Sequence, residues 1–261
     1  MSTNLTYESV LLDIEGTTTP ISFVHEKLFP YVKNNVEKFL NEHWEDKELQ
    51  DNIQLLRDQV TKDVNEKIFP EANLIPMDTG TNKDEVKNSI IQNITWQMKL
   101  DRKIGALKSF QGYMWKYGFD SGELKGIVYQ DVLDAFKKWA DLGIKIYIYS
   151  SGSVAAQKLI FQNSDKGDLL GYISGYFDTT IGLKLEKRSY ENISKQLKLE
   201  PNKILFLSDN VKEITAAKLA EFQAAIIDRP NNPPLSKNDK NIHLVFTNFH
   251  QVLSHSSFIK D

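Results

Sequence analysis

The first apolar run of the chain, Val10-Leu11-Leu12, is short and ends in Asp13-Ile14-Glu15-Gly16. Its length predicts a buried strand rather than a helix. Thr19-Pro20 then reads as an N-cap followed by proline at the first helical position. From there to about residue 116 the apolar positions recur at helical spacing. Val32, Val36, Phe39 and Leu40 fall on one face, as do Leu49, Ile53, Leu56, Val60 and Val64. Val86, Ile90, Ile91 and Ile94 repeat the pattern, and Ile104, Leu107 and Met114 continue it. A loop bearing proline and glycine, residues 69–82, divides this helical block.

After residue 130 the period changes. A helix carrying Val132, Phe136, Trp139 and Ala140 stops at Gly143, and residues 144–149 follow as a strand. Helices over 153–162 and 188–198, a strand over 204–207, a helix over 211–222 and a strand over 224–227 complete an alternation. Such alternation predicts an α/β fold, a Rossmann-like parallel sheet with helices on both faces. The all-helical stretch interrupts the chain between the first strand and the others. The expected organisation is therefore a core of residues 1–19 and 131–261 with a helical cap insertion over 20–130. Open sheets of this kind bind ligands at the carboxyl ends of their strands.

Three of the expected strands end in polar groups of complementary type. The first ends at Asp13 with Glu15 two residues on, another at Ser150-Ser151-Gly152-Ser153, and a third at Ser208-Asp209-Asn210. Carboxylates gathered at one sheet edge repel one another unless a cation stands between them. All-oxygen ligation of this type suits magnesium, which also keeps a substrate phosphate in its shell. The Ser-Ser-Gly turn opening a helix offers hydroxyls and backbone N–H groups to an anion.

Composition narrows the alternatives. The 261 residues carry a formal net charge of −3, with both signs spread along the chain, which gives no electrostatic case for nucleic acid or a membrane surface. The absence of cysteine excludes disulfides, thiol catalysis and sulfur-ligated zinc. The polar N-terminal segment lacks the pattern of a signal peptide, no apolar run is long enough to span a bilayer, and a cytoplasmic (or nuclear) monomer is expected. The three Asn-x-Ser/Thr sequons, at Asn4, Asn93 and Asn192, are then chance matches. No Gly-x-Gly-x-x-Gly follows the first strand and no Walker loop exists, which argues against a dinucleotide-binding or P-loop module.

The polar strand ends also carry a resemblance. Asp13-Ile14-Glu15-Gly16-Thr17 resembles the first motif of the haloacid-dehalogenase-like phosphohydrolases, Ser150 the second, Lys184 the third, and Asp209 with Glu213 the acidic fourth. At finer grain, Leu12 to Ile21, Trp96-Gln97-Met98, Asp101-Arg102-Lys103, Gln111-Gly112, Tyr147 to Ser153 and Phe177-Asp178-Thr179 are similar to the enolase-phosphatases of methionine salvage. The likeness covers nearly the whole chain. Glu15 stands where the wider family has aspartate, and glutamate is the choice of the enolase-phosphatases.

The resemblance implies an acireductone synthase that enolises 2,3-diketo-5-methylthiopentyl-1-phosphate and then removes its phosphate. The alternative is a phosphatase of the same superfamily for another small phosphorylated metabolite. It implies Asp13 as nucleophile, forming an aspartyl-phosphate, and Glu15 as acid and then base. Ser150 and Ser151 would hold the phosphoryl oxygens, and Lys184 would stabilise the developing charge. One Mg2+ per chain would be held by Asp13, Glu15 and Asp209. The cap residues around Trp96 to Arg102 and Gln111 to Trp115 are expected to recognise substrate.

Overall fold

The computed structural model describes residues 5–259. The Asn4 sequon and the first four residues of the N-terminal segment lie outside them. The chain divides into two compact units, Met1–Glu26 with Lys125–Asp261, and Lys27–Leu124.

The first unit opens with β1 (Ser9–Leu12) and a short helix α1 (Ile21–Phe23). The second unit supplies α2 (Phe29–His43), α3 (Lys47–Asn65), α4 (Lys83–Lys99) and α5 (Gly105–Asp120). The chain then completes the first unit with α6 (Gln130–Asp141), β2 (Lys145–Tyr149), α7 (Val154–Gln162), β3 (Ile173–Phe177), α8 (Lys187–Leu197), β4 (Ile204–Ser208), α9 (Val211–Leu219), β5 (Gln223–Ile227), α10 (Lys237–Ile242), β6 (Val245–Phe246) and α11 (Phe249–Ser254).

Among the described residues the six strands of the α/β unit are all parallel, in the order β3-β2-β1-β4-β5-β6. Every residue of β1 and β4 is buried, as expected of central strands covered on both faces. One face packs Leu11, Tyr149, Phe206 and Ile226 against Tyr190 and Ile193 of α8 and Ile214 and Ala217 of α9. On α6, Trp139 stacks near Phe249 of α11 and donates its indole N–H to the Tyr7 hydroxyl at 2.9 Å. Helix α6 ends as its sequence predicts: Gly143 takes φ +73°, its N–H reaches Ala140 O at 3.0 Å, and Ile144 N–H reaches Trp139 O at 2.9 Å. That is a Schellman closure, and it sets the chain directly into β2.

The expected cap at Thr19 does not form. Pro20 precedes the helix with ψ 136°, and the Thr19 hydroxyl is buried without a partner. The helical unit is also shorter at both ends than residues 20–130. Tyr129 N–H bonds Thr18 O at 3.1 Å and Gly126 N–H bonds Asn163 O at 2.8 Å, which ties those flanking segments into the α/β unit.

Within the helical unit the stripes read from the sequence meet in one core, Val32, Val36 and Leu40 against Leu56, Val60, Ile90, Ile94, Phe110 and Met114. Arg102 forms an ion pair with buried Asp63 and lies over the rings of Phe69 and Trp96, at 4.6 and 5.7 Å. Gln97 and Gln111 are buried, and Trp115 Nε1–H donates to Leu28 O at 2.9 Å. These residues are thus engaged in the packing of their own unit. Among the described residues no helix is long and apolar enough to cross a membrane.

Candidate active site

β1 pairs with both β2 and β4, with Leu12 opposite Ile148 and Leu207. The register places the ends of the three strands side by side at one edge of the sheet. Asp13, Ser150 and Asp209 therefore leave the sheet together, as their sequence positions imply.

Asp13 is buried, and its N–H still bonds Leu207 O at 3.0 Å, so the backbone that carries its carboxylate belongs to the sheet. One carboxylate oxygen accepts from Lys184 Nζ at 2.5 Å and the other from the Thr17 hydroxyl at 2.9 Å. Thr17 Oγ1 in turn accepts from Asp209 N–H at 3.0 Å, which ties the end of β4 to the turn after β1. Lys184 Nζ also pairs with Glu213 Oε2 at 2.7 Å, and Ser208 Oγ donates to the same oxygen at 2.8 Å. One ammonium thus bridges two carboxylates from different elements.

The turn itself is narrow. Ile14 O accepts from the N–H groups of Thr17, Thr18 and Thr19, and Gly16 takes φ +75°. A Cβ on Gly16 would stand 2.5 Å from Asp209 Oδ2, so only glycine lets this turn and that carboxylate approach. Glu15 is half-buried, with Oε1 3.5 Å from His25 Nε2. Ser150 is half-buried, its hydroxyl accepting from Gly152 N–H at 3.3 Å, and Ser151 is exposed. Ser153 caps α7 by accepting from Ala156 N–H at 3.3 Å. That bond fixes a serine-rich turn at a helix N-terminus, where backbone donors favour an anion.

The electrostatics follow from four carboxylates around one ammonium. Burial, reinforced by the charges of Asp13, Glu213 and Glu15, pushes the Asp209 carboxyl up to about 7 against the pull of Lys184. Burial also raises Glu213, despite its ion pair with Lys184. Burial alone would lower Lys184, but Asp13 and Glu213 outweigh it and raise the ammonium above its ordinary range. The lysine is therefore charged at any physiological pH, and the site around it has negative charge to spare.

The family model of the haloacid dehalogenase-like hydrolases matches residues 7–221, which include all of these groups. The chain belongs to this family. Among its relatives, an enolase-phosphatase E1 of Xenopus tropicalis is 47% identical over 246 residues, 93% of either chain. A probable bifunctional methylthioribulose-1-phosphate dehydratase/enolase-phosphatase E1 of Arabidopsis thaliana is 49% identical over 88% of this chain and 45% of its own. The crystal structure of the UTR4 protein of Saccharomyces cerevisiae is 34% identical, with a TM-score of 0.73 over 93% of this chain and 98% of that one.

Among the described residues no group of three or more His, Asp or Glu side chains is arranged to hold a metal ion. The Lys184 ammonium instead takes the place between Asp13 and Glu213. The donor set nevertheless fits a hard divalent cation. The Thr17 hydroxyl joins Asp13 Oδ2 to the Asp209 backbone N–H and so sets the two aspartates side by side, and after burial the charge of Asp13 is the next cause of the raised Asp209 carboxyl.

Two residues of this network are not among those singled out above, Arg229 and Asn232. Both follow β5, and both hold the turn after Asp13: Arg229 Nε donates to Thr17 O at 3.0 Å and Asn232 Nδ2 to Gly16 O at 2.8 Å. Arg229 is itself fixed by a two-pronged pair with Asp131, at 3.0 and 2.8 Å, and by the Tyr129 ring at 4.1 Å. The signal available in sequence was the run Asp228-Arg229-Pro230-Asn231-Asn232, polar residues at the end of another strand.

Proposed function

We propose that this enolase-phosphatase uses Asp13 as the nucleophile that takes the phosphoryl group from an enolised 2,3-diketo-5-methylthiopentyl-1-phosphate. The observation that carries the reading is the position of its carboxylate, buried at the end of the central strand and held by Lys184 and Thr17 from opposite sides. A carboxylate so fixed is preorganised for in-line attack at phosphorus, giving an aspartyl-phosphate that water then cleaves.

Glu15, two residues on and partly open to solvent, protonates the departing oxygen and later takes the proton of the attacking water. Ser150 and Ser151 receive the phosphoryl oxygens through hydroxyl and backbone donors. Lys184 offers a positive charge that costs little reorganisation when charge builds on phosphorus. The cation is Mg2+, which phosphatases of this family generally use, and Asp13, Asp209 and Glu15 are the residues that would hold it. Bound there, magnesium supplies charge neutralisation at the phosphoryl oxygens and Lewis acidity toward a dicarbonyl. We assign the α/β unit to the chemistry and the unit over Lys27–Leu124 to the cap. A monomer acting in the cytoplasm completes the reading.

The test is to follow acireductone absorbance and phosphate release together from the diketo substrate. Both should appear, in equal amounts, only when magnesium is present. Release of phosphate from generic esters at the same efficiency, with no acireductone, would leave only a phosphatase for some other metabolite.

A further inference from the structure

The segment that delivers Lys184 lies between β3 and α8 and has no regular structure. Leu183 and Leu185, on either side of the lysine, are each 55% exposed, so burial of its neighbours does not hold it. Side-chain hydrogen bonds do. Four consecutive carbonyl oxygens each accept one: Ile181 O from Asn192 Nδ2 at 3.3 Å, Gly182 O from the Tyr149 hydroxyl at 2.8 Å, Leu183 O from Ser189 Oγ at 2.7 Å, and Lys184 O from the Tyr190 hydroxyl at 2.7 Å.

Three of the four donors are anchored in the core. Tyr149, Ser189 and Tyr190 are almost wholly buried. The Tyr190 ring meets Tyr149, Phe206 and Phe222 edge-on, at 5.7, 5.2 and 5.7 Å, so its hydroxyl cannot follow a drifting backbone. Gly182 adopts φ +136°, and a Cβ there would stand 2.2 Å from Ser189 Oγ, so the segment passes closer to α8 than any side chain permits. A lysine stem is flexible, and its Nζ can be fixed only if its Cα is fixed first.

We infer that Tyr190, backed by Tyr149 and Ser189, is a positioning residue for Lys184. By holding the carbonyl of Lys184 itself, it sets where the ammonium stands relative to Asp13 and to the phosphoryl group. This role rests on the assignment of Lys184 to the phosphoryl step. The Tyr190 hydroxyl acts through the Lys184 carbonyl and not on the ammonium itself.

Tyr190→Phe keeps the ring contacts and removes only the O–H donor. Phosphate release should lose about tenfold in kcat, the rate equivalent of one neutral hydrogen bond, with KM within about twofold. Inhibition by orthovanadate, which imitates five-coordinate phosphorus, should weaken in step with kcat, while inhibition by inorganic phosphate stays put. A purely structural role would move both inhibitors together or neither. Unchanged kcat, or equal weakening of vanadate and phosphate, overturns the proposal. If Tyr190→Phe does not fold, Ser189→Ala removes the neighbouring bond and is read the same way. Lys184→Ala is measured beside them. Wild-type kcat in that variant would bring down the role of Lys184 and the proposal with it. Lost turnover in Lys184→Ala with full turnover in Tyr190→Phe would bring down the positioning role alone.

Discussion

Replacing Lys184 by methionine keeps most of the side-chain volume and removes the one ammonium that Asp13 and Glu213 share, at 2.5 and 2.7 Å. Breaking a buried ion pair from one side costs about 3–5 kcal/mol, because the remaining charge has lost its partner. The loss has a ceiling, since a stranded carboxylate can take a proton instead. Protonating a carboxyl of ordinary pKa costs about 4 kcal/mol at about pH 7.5 and about 1.5 kcal/mol at about pH 5.5. Glu213 is already raised by burial and should rise further without Lys184. A group with a raised carboxyl pKa destabilises the fold above its ordinary pKa and ceases to do so in acid. The raised lysine of the parent contributes fully at every pH below its ordinary pKa, so its own titration adds nothing over this window, and Asp209, pushed up to about 7 chiefly by burial, titrates in parent and variant alike. Unfolding followed in chelator at both pH values should thus show Lys184→Met less stable by about 3–4 kcal/mol near neutrality and by about half that or less near pH 5.5. A loss below about 1 kcal/mol, or one of equal size at both pH values, would refute the idea that Lys184 balances two buried carboxylates.

Chelation of the metal should stop turnover, and magnesium should restore it far better than calcium, whose larger and more flexible shell misplaces the attacking carboxylate; full activity in excess chelator would remove the cation from the scheme. In the helical unit, burial favours the neutral form of Asp63, but Arg102 outweighs it and holds the carboxyl below its usual range. Its contribution should be present near neutrality and vanish as pH falls below about 4, so Arg102→Leu should cost about 3 kcal/mol in neutral buffer and much less in acid, and a pH-independent loss in melting experiments would count against this pairing. Gly16→Ala should lower both stability and turnover, because the added methyl meets Asp209 Oδ2 at 2.5 Å at φ +75°; a variant with parental kcat would show that the turn has room to spare.

The parts of the fold legible in the sequence are those in which an apolar run ends abruptly in polar residues. β1, β2 and β4 meet that description, and their register then fixes where Asp13, Ser150 and Asp209 lie. β3 escaped because Gly175 interrupts its apolar pattern and most of its residues are only half-buried at the sheet edge. β6 is two residues long, too short for any period to register. Lys184 was legible only through the family's motif, since an isolated lysine between two exposed leucines looks like surface. What makes it part of the site is a set of carbonyl contacts supplied by Tyr149, Ser189 and Tyr190. Arg229 offered only its place in a polar run after a strand: its partner carbonyl on Thr17 is 212 residues away, and no local pattern encodes that bond.

Asp13 as a covalent nucleophile is the claim on which the account turns. Substrate mixed with enzyme and quenched within a turnover by borohydride would reduce an acyl phosphate at its carboxyl carbon, converting that aspartate to homoserine. Peptide mass spectrometry should find homoserine at position 13, dependent on substrate, with none at Asp209 and no turnover in Asp13→Asn. Phosphate release at the parental rate in Asp13→Asn, or reduction at another carboxylate with position 13 unchanged, would contradict it.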